Sequence, residues 1–341
     1  MFASLSDVNM ATTTLKTVSH LKHFKHYDIT ASRVLQKTHI LRAGRLYGTS
    51  EARKPITTTH YCLDIVKQND YENFLSVLLL PQNARATAVA IRAFNVELAQ
   101  VSDMTSETLM GKMRLQFWRD TLDQIYQGTA PKQPVALELQ RCCFFPLQAV
   151  EMHRLSKRWL RSLIDSREEQ LDNKQFASIA SVENYSEKCN SPLYYLILQG
   201  LGIENVHADH AASHLGKAEG IMRLVRGVPH HGAKRKVLLP RDLMMKHGIS
   251  QEDVIRGSQE QKVKDVIFDT ASIAHQHLEH ARSFINDVPK KARICLLPSV
   301  AVATYLKALQ RVQFDVFDST LQRRNNKLPY LMLWAKFCNN Y

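Results

Sequence analysis

The sequence has 341 residues, of which 45% are hydrophobic, and a formal net charge of +13. This apolar content excludes a disordered chain and suits one large globular domain or two small ones. No apolar run reaches the roughly 18 residues that a membrane-spanning helix needs. The six cysteines are scattered and form neither a C-x-x-C pair nor a disulfide framework, so the pattern favours a reducing compartment.

The N-terminal segment carries a large share of the positive charge. Residues 1–54 contain nine Lys or Arg and three acidic residues. Helices over 15–24 and 34–46 would place Leu, Val and Ile on one face and basic residues opposite, which is typical of a mitochondrial transit peptide. We therefore predict that residues 1–54 form a mitochondrial transit peptide and disordered leader, with a processing site near 45–48. A disordered basic tail or a surface helix is the alternative.

The rest of the chain is less basic. Residues 55–341 contain 36 Lys or Arg against 29 Asp or Glu. They lack the dense basic stripe with interleaved aromatic residues that is typical of nucleic-acid binding. The sequence therefore predicts no nucleic-acid partner, and the remaining excess charge favours an anionic partner such as an acidic lipid surface.

From His60 onward, apolar residues recur at helical spacing between Pro and Gly breaks. Only 235–240 has the alternation of a strand. We therefore predict that 55–341 is one all-α domain of antiparallel helices around a single core. The first predicted helix ends at 75–79. The others span, in chain order, 84–101, 106–126, 135–140, 155–171, 182–201, 208–228, 263–285, 298–309 and 328–337.

Several segments between His60 and Phe284 together resemble the squalene/phytoene synthase family. The first is Leu-Leu-Pro at 79–81, followed by Ala-Ile-Arg-Ala-Phe at 90–94. The most specific is His-Leu-Gly-Lys-Ala at 214–218, followed by Arg226 and by Arg-Lys-Val-Leu-Leu-Pro at 235–240. This resemblance implies the isoprenoid-synthase fold, a squalene/phytoene synthase-like helical bundle.

Four further segments are similar to the mitochondrial complex I assembly factor branch of this family: 61–63, 92–101, 207–214 and 280–284. The resemblance implies a role in the early assembly of respiratory NADH:ubiquinone oxidoreductase, in support of its ND1 membrane module. Complex I subunits or assembly intermediates are then the expected partners. The expected location is the matrix side of the mitochondrial inner membrane, with peripheral attachment.

The family's enzymes hold Mg²⁺ through aspartates on two facing helices, because the diphosphate leaving group needs its charge neutralised. At the place of the first motif, D-D-x-x-D, this chain has Ala99, Gln100 and Asp103. Only Asp103 retains a carboxylate. The first metal motif is therefore degenerate.

The second metal motif of the family is degenerate too. Arg223, Gly227 and His231 stand where the family has Asn, Asp and Asp, and Gly220 stands where it has Gln. Arg223 would repel a metal ion. The resemblance thus implies a pseudoenzyme with no catalytic residue, no metal site and no cofactor. The alternative is a residual prenyltransferase or a protein that binds an isoprenoid or prenyl diphosphate.

Three charged residues, Arg92, Glu97 and Arg226, are candidates for a residual anion or ligand cavity. Glu97 lies on an apolar stretch, and a buried carboxylate needs a partner, so we predict that it pairs with Arg92 or Arg226. Structural salt bridges are the competing interpretation of the arginines. His210 and His214 have metal-ligand spacing, but such residues more often cap or cover a helix.

Two segments depart from the general pattern. Residues 142–152 resemble an insertion relative to the branch, and we predict that it loosens local packing. Residues 328–337 form an apolar helix, which is predicted to dock on the core; contact with a membrane surface is the alternative.

Overall fold

The computed structural model describes residues 57–105, 107–144, 155–172 and 174–341, with backbone alone at Phe144. The predicted leader and processing site lie outside the described residues. Those residues belong to a unit spanning Pro55–Tyr341. Within them the chain forms fifteen α-helices, three short 3-10 turns and no strand, which confirms the all-α prediction.

The helices follow one another with short connections. Their bounds are α1 Thr58–Asn69, α2 Tyr71–Leu79, α3 Gln82–Met104, α4 Thr108–Tyr126, α5 Pro134–Phe144, α6 Lys157–Glu169, α7 Ile179–Gly200, α8 Val206–Arg226, α9 Val228–Ala233, α10 Arg241–Lys246, α11 Gln251–Ile255, α12 Gln261–Ser283, α13 Lys290–Arg293, α14 Pro298–Arg311 and α15 Leu328–Phe337.

The segment 235–240 has the residue alternation of a strand but does not form one. Arg235 has φ +55°, which breaks an extended backbone at the first residue. Val237, Leu238 and Leu239 are all buried against the helical core instead of alternating between core and solvent. The segment is therefore an irregular link between α9 and α10.

The first two helices are separated by a single residue, Asp70. Helix α1 begins at an N-cap, Thr57, whose side chain accepts a hydrogen bond from the His60 backbone N–H. Asp70 leaves the helical region with φ −136° and ψ 53°, and α2 begins at the next residue. This break directs the Asp70 side chain into the interior, where its exposed fraction is 9%.

Helices α7 and α8 pack with their backbones unusually close. A Cβ atom on Gly216 would lie 2.6 Å from the Ser191 backbone nitrogen, and one on Gly220 would collide with the side chains of Ser186 and Asn190. Only glycine fits at these two positions. The change to Gly220 noted in the second motif therefore has a packing role in this chain.

Pro192 lies inside α7 and cannot donate to the carbonyl of Lys188, four residues earlier. The Ser162 hydroxyl on α6 donates to that carbonyl at 3.3 Å. The acceptor that proline leaves free is thus used to join α6 to α7.

The core lies among α3, α7 and α8, against which α1, α5, α6 and α12 pack. Phe94 of α3 meets Trp118 of α4 edge to face, with ring centroids 5.2 Å apart. The largest fully buried side chain is nevertheless a charged one, Arg92, which is 1% exposed. A buried guanidinium needs anionic partners, and these define the candidate site.

The predicted insertion lies partly outside the described residues. Helix α5 continues through Cys142 to Phe144, and Cys143 is buried in the hydrophobic core. The first residues of the segment therefore belong to a packed helix.

No single described helix is long and apolar enough to cross a membrane, although the bent pair Lys290–Leu296 and Pro298–Arg311 meets the requirements of length and composition together.

Candidate functional site

Arg223 lies at the centre of an ion-pair network between α8 and the α1–α2 break. Its side chain is 36% exposed, whereas its partners Asp70 and Glu219 are buried. Its Nη2 atom is 2.7 Å from Glu219 Oε1 and 2.9 Å from Asp70 Oδ1. Arg92 of α3 approaches from the other side, with Nη1 3.6 Å from Asp70 Oδ2. Two guanidinium groups therefore face two carboxylates, and the network is neutral overall.

Uncharged side chains complete the network. The Asn73 amide donates to both Asp70 Oδ1 and Glu219 Oε1 at 2.8 Å. The Tyr194 hydroxyl donates to Glu219 Oε2, and the Arg92 guanidinium lies 5.4 Å from the centre of the Tyr194 ring. Removal of any one charged group would leave its partner buried without a counter-charge, and this would strongly destabilise the folded protein.

The network determines the protonation states of its members. Burial alone would raise the pKa of Glu219, but the charges of Arg223 and Arg92 and the hydrogen bonds from Tyr194 and Asn73 lower it to about 2. Burial opposes the charge of Arg223, yet Glu219 and Asp70 raise its pKa above the ordinary value. Burial and Glu219 raise the pKa of Tyr194. Glu219 is therefore ionised and Tyr194 is a neutral donor.

A second ion pair lies beside this network. Arg226 Nη1 is 3.0 Å from Glu72 Oε2, and the guanidinium lies 4.3 Å from the centre of the Tyr305 ring. Glu72, Arg223 and Arg226 line a cavity with a volume of about 20 Å³. Since a single water molecule needs roughly 10–15 Å³ by this measure, the cavity is far smaller than an isoprenoid chain.

Asp103, the carboxylate that remains of the first motif, lies near the C-terminal end of α3 and close to His231 of the second motif. Asp103 Oδ1 is 2.6 Å from Lys234 Nζ. Partial burial raises the pKa of Asp103, but Lys234, His230 and His231 together lower it. The only carboxylate left in the first motif thus neutralises a lysine. Ala99 and Gln100 lie half-buried on the same helix and contribute no carboxylate.

The second motif is divided between two helices. Arg223 belongs to the ion-pair network, whereas Gly227 is the residue at which α8 ends and α9 begins. His231 lies on α9, where burial and the neighbouring His230 lower its pKa to about 4. Neutral His231 and paired Arg223 supply nothing that resembles the carboxylates of a metal-binding motif.

The predicted pairing of Glu97 with Arg92 or Arg226 does not form. Glu97 is half-buried and accepts a hydrogen bond of 3.0 Å from the Tyr61 hydroxyl of α1. Arg92 pairs with Asp70 instead, and Arg226 pairs with Glu72. Of the three residues in the predicted ligand cavity, only Arg226 lines the cavity of about 20 Å³ beside Arg223.

His210 and His214, the two histidines with metal-ligand spacing, contact different partners. His214 Nδ1 is 2.9 Å from His277 Nδ1, and His277 Nε2 is 2.7 Å from Glu183 Oε1. His210 instead packs near the Phe284 ring, with centroids 5.7 Å apart. These side chains join α8 to α12 and α7.

The partners of the arginines were missed by sequence reasoning. Asp70, Glu72 and Asn73 lie in a short stretch that showed only apolar periodicity. Glu219 had one usable signal, because it precedes Arg223 by four residues on a predicted helix, and such pairs share a helical face.

A family model described as squalene/phytoene synthase matches residues 66–329. The chain belongs to the squalene/phytoene synthase family. It is similar to proteins from Bos taurus and Homo sapiens, each 50% identical over 282 residues that cover 82% of this chain and 83% of the relative. Both relatives are named NADH dehydrogenase (ubiquinone) complex I, assembly factor 6.

A solved dehydrosqualene synthase in complex with ligand is similar in fold. Its TM-score is 0.69 at 16% identity, and the match covers 82% of this chain and 96% of that chain. The isoprenoid-synthase fold predicted from the sequence is thereby confirmed.

The family's enzymes imply Mg²⁺, but the described residues do not fit it. A Mg²⁺ ion needs about six oxygen ligands in octahedral geometry. Asp70 Oδ1 and Glu219 Oε1 are occupied by Arg223 and Asn73, Glu219 Oε2 by Tyr194, and Asp103 by Lys234. Asp70 Oδ2 has no hydrogen-bond donor but faces Arg92 at 3.6 Å, so a cation already lies beside it. Across the described parts of the chain, no three His, Cys, Asp or Glu side chains converge in a way that would hold a metal ion.

Replacement of Asp103 by alanine tests whether the ion pair between Asp103 and Lys234 contributes to the stability of the fold. The Asp103 and Lys234 side chains are each more than a third exposed, so water screens their interaction. We expect the Asp103→Ala variant to lose less than about 1 kcal/mol of unfolding free energy in urea titrations. A loss comparable with that of a buried pair would show that Asp103 has a structural role beyond this contact.

Proposed function

We propose that this protein is a mitochondrial assembly factor for respiratory complex I and that it has no catalytic activity. The assembly role is supported by the relatives that share half of its residues and carry that name. The non-catalytic part is carried by one observation: Arg223, at a position of the second metal motif, is bound to Asp70 and Glu219.

The absence of catalysis follows from charge balance. Ionisation of an allylic diphosphate needs divalent cations to stabilise the departing negative charge. Here the carboxylates that face the interior are already neutralised by Arg92 and Arg223. A metal ion would have to displace a guanidinium and leave it buried without a partner, which is costly.

The alternative function, a prenyltransferase or an isoprenoid-binding protein, rests on the fold similarity to a ligand-bound enzyme. The cavity of about 20 Å³ beside Arg223 argues against a prenyl site at the family's metal motifs, because a prenyl chain needs a pocket of several hundred Å³.

The proposed partners are complex I subunits or assembly intermediates, with the ND1 membrane module as the point of action. The proposed location is the matrix side of the mitochondrial inner membrane, with peripheral attachment. The basic leader over 1–54 supports import, and the basic excess of the remaining chain supports contact with an acidic lipid surface.

The test is rescue of cells that lack the gene, with complex I subassemblies followed on native gels. Wild-type protein should restore assembled complex I, and the Asp103→Ala variant should restore it equally. Failure of the wild-type protein would contradict the assembly role. Failure of a stably folded Asp103→Ala variant would contradict the absence of active-site chemistry.

A further inference from the structure

Helix α15, at Leu328–Phe337, is apolar on two opposite faces. Leu328 and Met332 are buried and hold the helix on the core. Tyr330, Trp334 and Phe337 are 71%, 65% and 82% exposed, and Leu333 is exposed beside them. At about 100° per residue, these four exposed side chains share one face roughly 100° wide. Such a concentration of aromatic and aliphatic surface marks a binding site.

A basic cavity adjoins this exposed face. Its volume is about 460 Å³, and its lining includes four cationic side chains: Lys290, Lys291, Arg293 and Lys336. No acidic residue in the described chain lines it, and apolar side chains such as Leu201 and Leu297 form part of its wall. Lys336 belongs to α15 itself, about 60° around the helix from the exposed face. The apolar face and the basic cavity are therefore continuous.

Three hydrogen bonds hold this surface in place. Lys336 Nζ donates to the Leu79 carbonyl at 2.8 Å, and Arg293 Nη1 donates to the Asn339 carbonyl at 3.1 Å. The buried Tyr341 hydroxyl donates to the Ala281 carbonyl at 3.0 Å. The orientation of α15 relative to the basic cavity is thus set before any ligand binds, which lowers the entropy cost of binding.

We propose that the exposed face of α15 and the adjoining basic cavity form a docking surface for an anionic phospholipid bilayer. Tyr330 and Trp334 are the side chains that favour the membrane interface, and Leu333 and Phe337 enter the region of the acyl chains. The lysines and Arg293 neutralise lipid phosphates, and the cavity has the size and polarity for one headgroup with the first part of its chains.

Charge complementarity selects this occupant over a protein partner. The cavity has four positive charges and no carboxylate among its described lining residues, which matches a surface of phosphate groups. The inference rests on the membrane location in the proposed function. The test uses purified protein and vesicles, so its failure is distinguishable from failure of the assembly assay.

The experiment is flotation of the full chain with vesicles of phosphatidylcholine mixed with phosphatidylglycerol. Each basic residue near an anionic surface strengthens binding about fivefold. The Lys290→Gln, Lys291→Gln variant should therefore bind about 25-fold more weakly. The matched control replaces Lys112 and Lys132, two exposed lysines elsewhere, with Gln and should bind like the wild type.

The apolar face has its own readout. Brominated lipids should quench Trp334 fluorescence, and the Trp334→Phe variant should lose that quenching, because Trp118 and Trp159 are not exposed. Replacing Tyr330, Trp334 and Phe337 with Ser should reduce vesicle binding at least tenfold. Serines at exposed Leu109, Met110 and Met113 of α4 provide the matched control.

Circular dichroism melting of each variant shows whether it is folded. No binding to the anionic vesicles would overturn the proposal, as would binding without quenching of Trp334 or equal losses in test and control variants. If the serine variant of α15 bound vesicles normally but failed to rescue complex I, the face would be a protein contact and the proposal would be wrong.

Discussion

Replacement of Arg223 by alanine should destabilise the protein by about 2–3 kcal/mol near neutral pH, less than for a fully buried pair because the Arg223 side chain is 36% exposed. The substitution removes the cation that lies 2.7 Å from Glu219 and 2.9 Å from Asp70. Both carboxylates remain buried, and Arg92, at 3.6 Å from Asp70, is too distant to replace the lost contacts. Urea unfolding of the wild type and the variant measures the difference in unfolding free energy.

The loss should depend on pH in a defined direction. The pKa of Glu219 is lowered to about 2 in the folded protein, chiefly by Arg223 acting against burial. Its ionised form therefore stabilises the fold above the unfolded pKa, roughly 4.3, and this contribution declines as pH falls toward the folded value. Without Arg223, Glu219 takes up a proton at a higher pH. The penalty of the Arg223→Ala variant should thus shrink as pH falls from about 7 to about 4.

The control is Arg235→Ala. Arg235 forms a 3.2 Å ion pair with Glu252, but its side chain is largely exposed, so the expected loss is below about 1 kcal/mol. Equal losses in the two variants would contradict an ion-pair network in which Arg223 is the central cation. A penalty that grew on acidification would contradict the assignment of Glu219 as its ionised partner.

The Gly216→Ala variant should lose about 2–3 kcal/mol of unfolding free energy, although alanine favours a helix more than glycine does. The new Cβ would lie 2.6 Å from the backbone nitrogen and 2.7 Å from the Cα of Ser191. A backbone cannot rotate away as a side chain can, so α7 and α8 must separate. Thermal and urea unfolding measure the cost.

Gly232→Ala is the matched control for this substitution. Gly232 is buried on α9, but a Cβ there meets its nearest neighbour, the Val254 carbonyl oxygen, at 3.4 Å. We expect a change within about 1 kcal/mol in either direction. Similar stability of the Gly216→Ala and wild-type proteins would contradict the close approach of α7 and α8.

The helical architecture was largely predictable because apolar spacing persists along the whole body. Helix α3 extends beyond the predicted segment 84–101 on both sides and α12 begins two residues before the predicted 263, since polar residues continue the helix at its ends. Helix α4 begins two residues after the predicted 106. The alternation at 235–240 produces no strand, because a strand needs a partner strand for its backbone hydrogen bonds and this segment packs against helices.

The candidate site was predictable only in part. The loss of carboxylates at Ala99, Gln100 and Arg223 follows from the family resemblance. The replacement network does not, because Asp70 lies 153 residues from Arg223 and is aimed inward by a one-residue helix break. Glu97 was assigned the wrong partner for the same reason. Its residue type and its position on α3 do not reveal that Tyr61 of α1 packs beside it.

The replacement of the family's metal and diphosphate site by ion pairs is our main inference about this protein. Its most direct test is pyrophosphate release from farnesyl diphosphate by the purified protein with Mg²⁺, beside an active dehydrosqualene synthase as positive control. We expect no release above the protein-free blank at any Mg²⁺ concentration. Release that depends on both the protein and Mg²⁺ would contradict this inference.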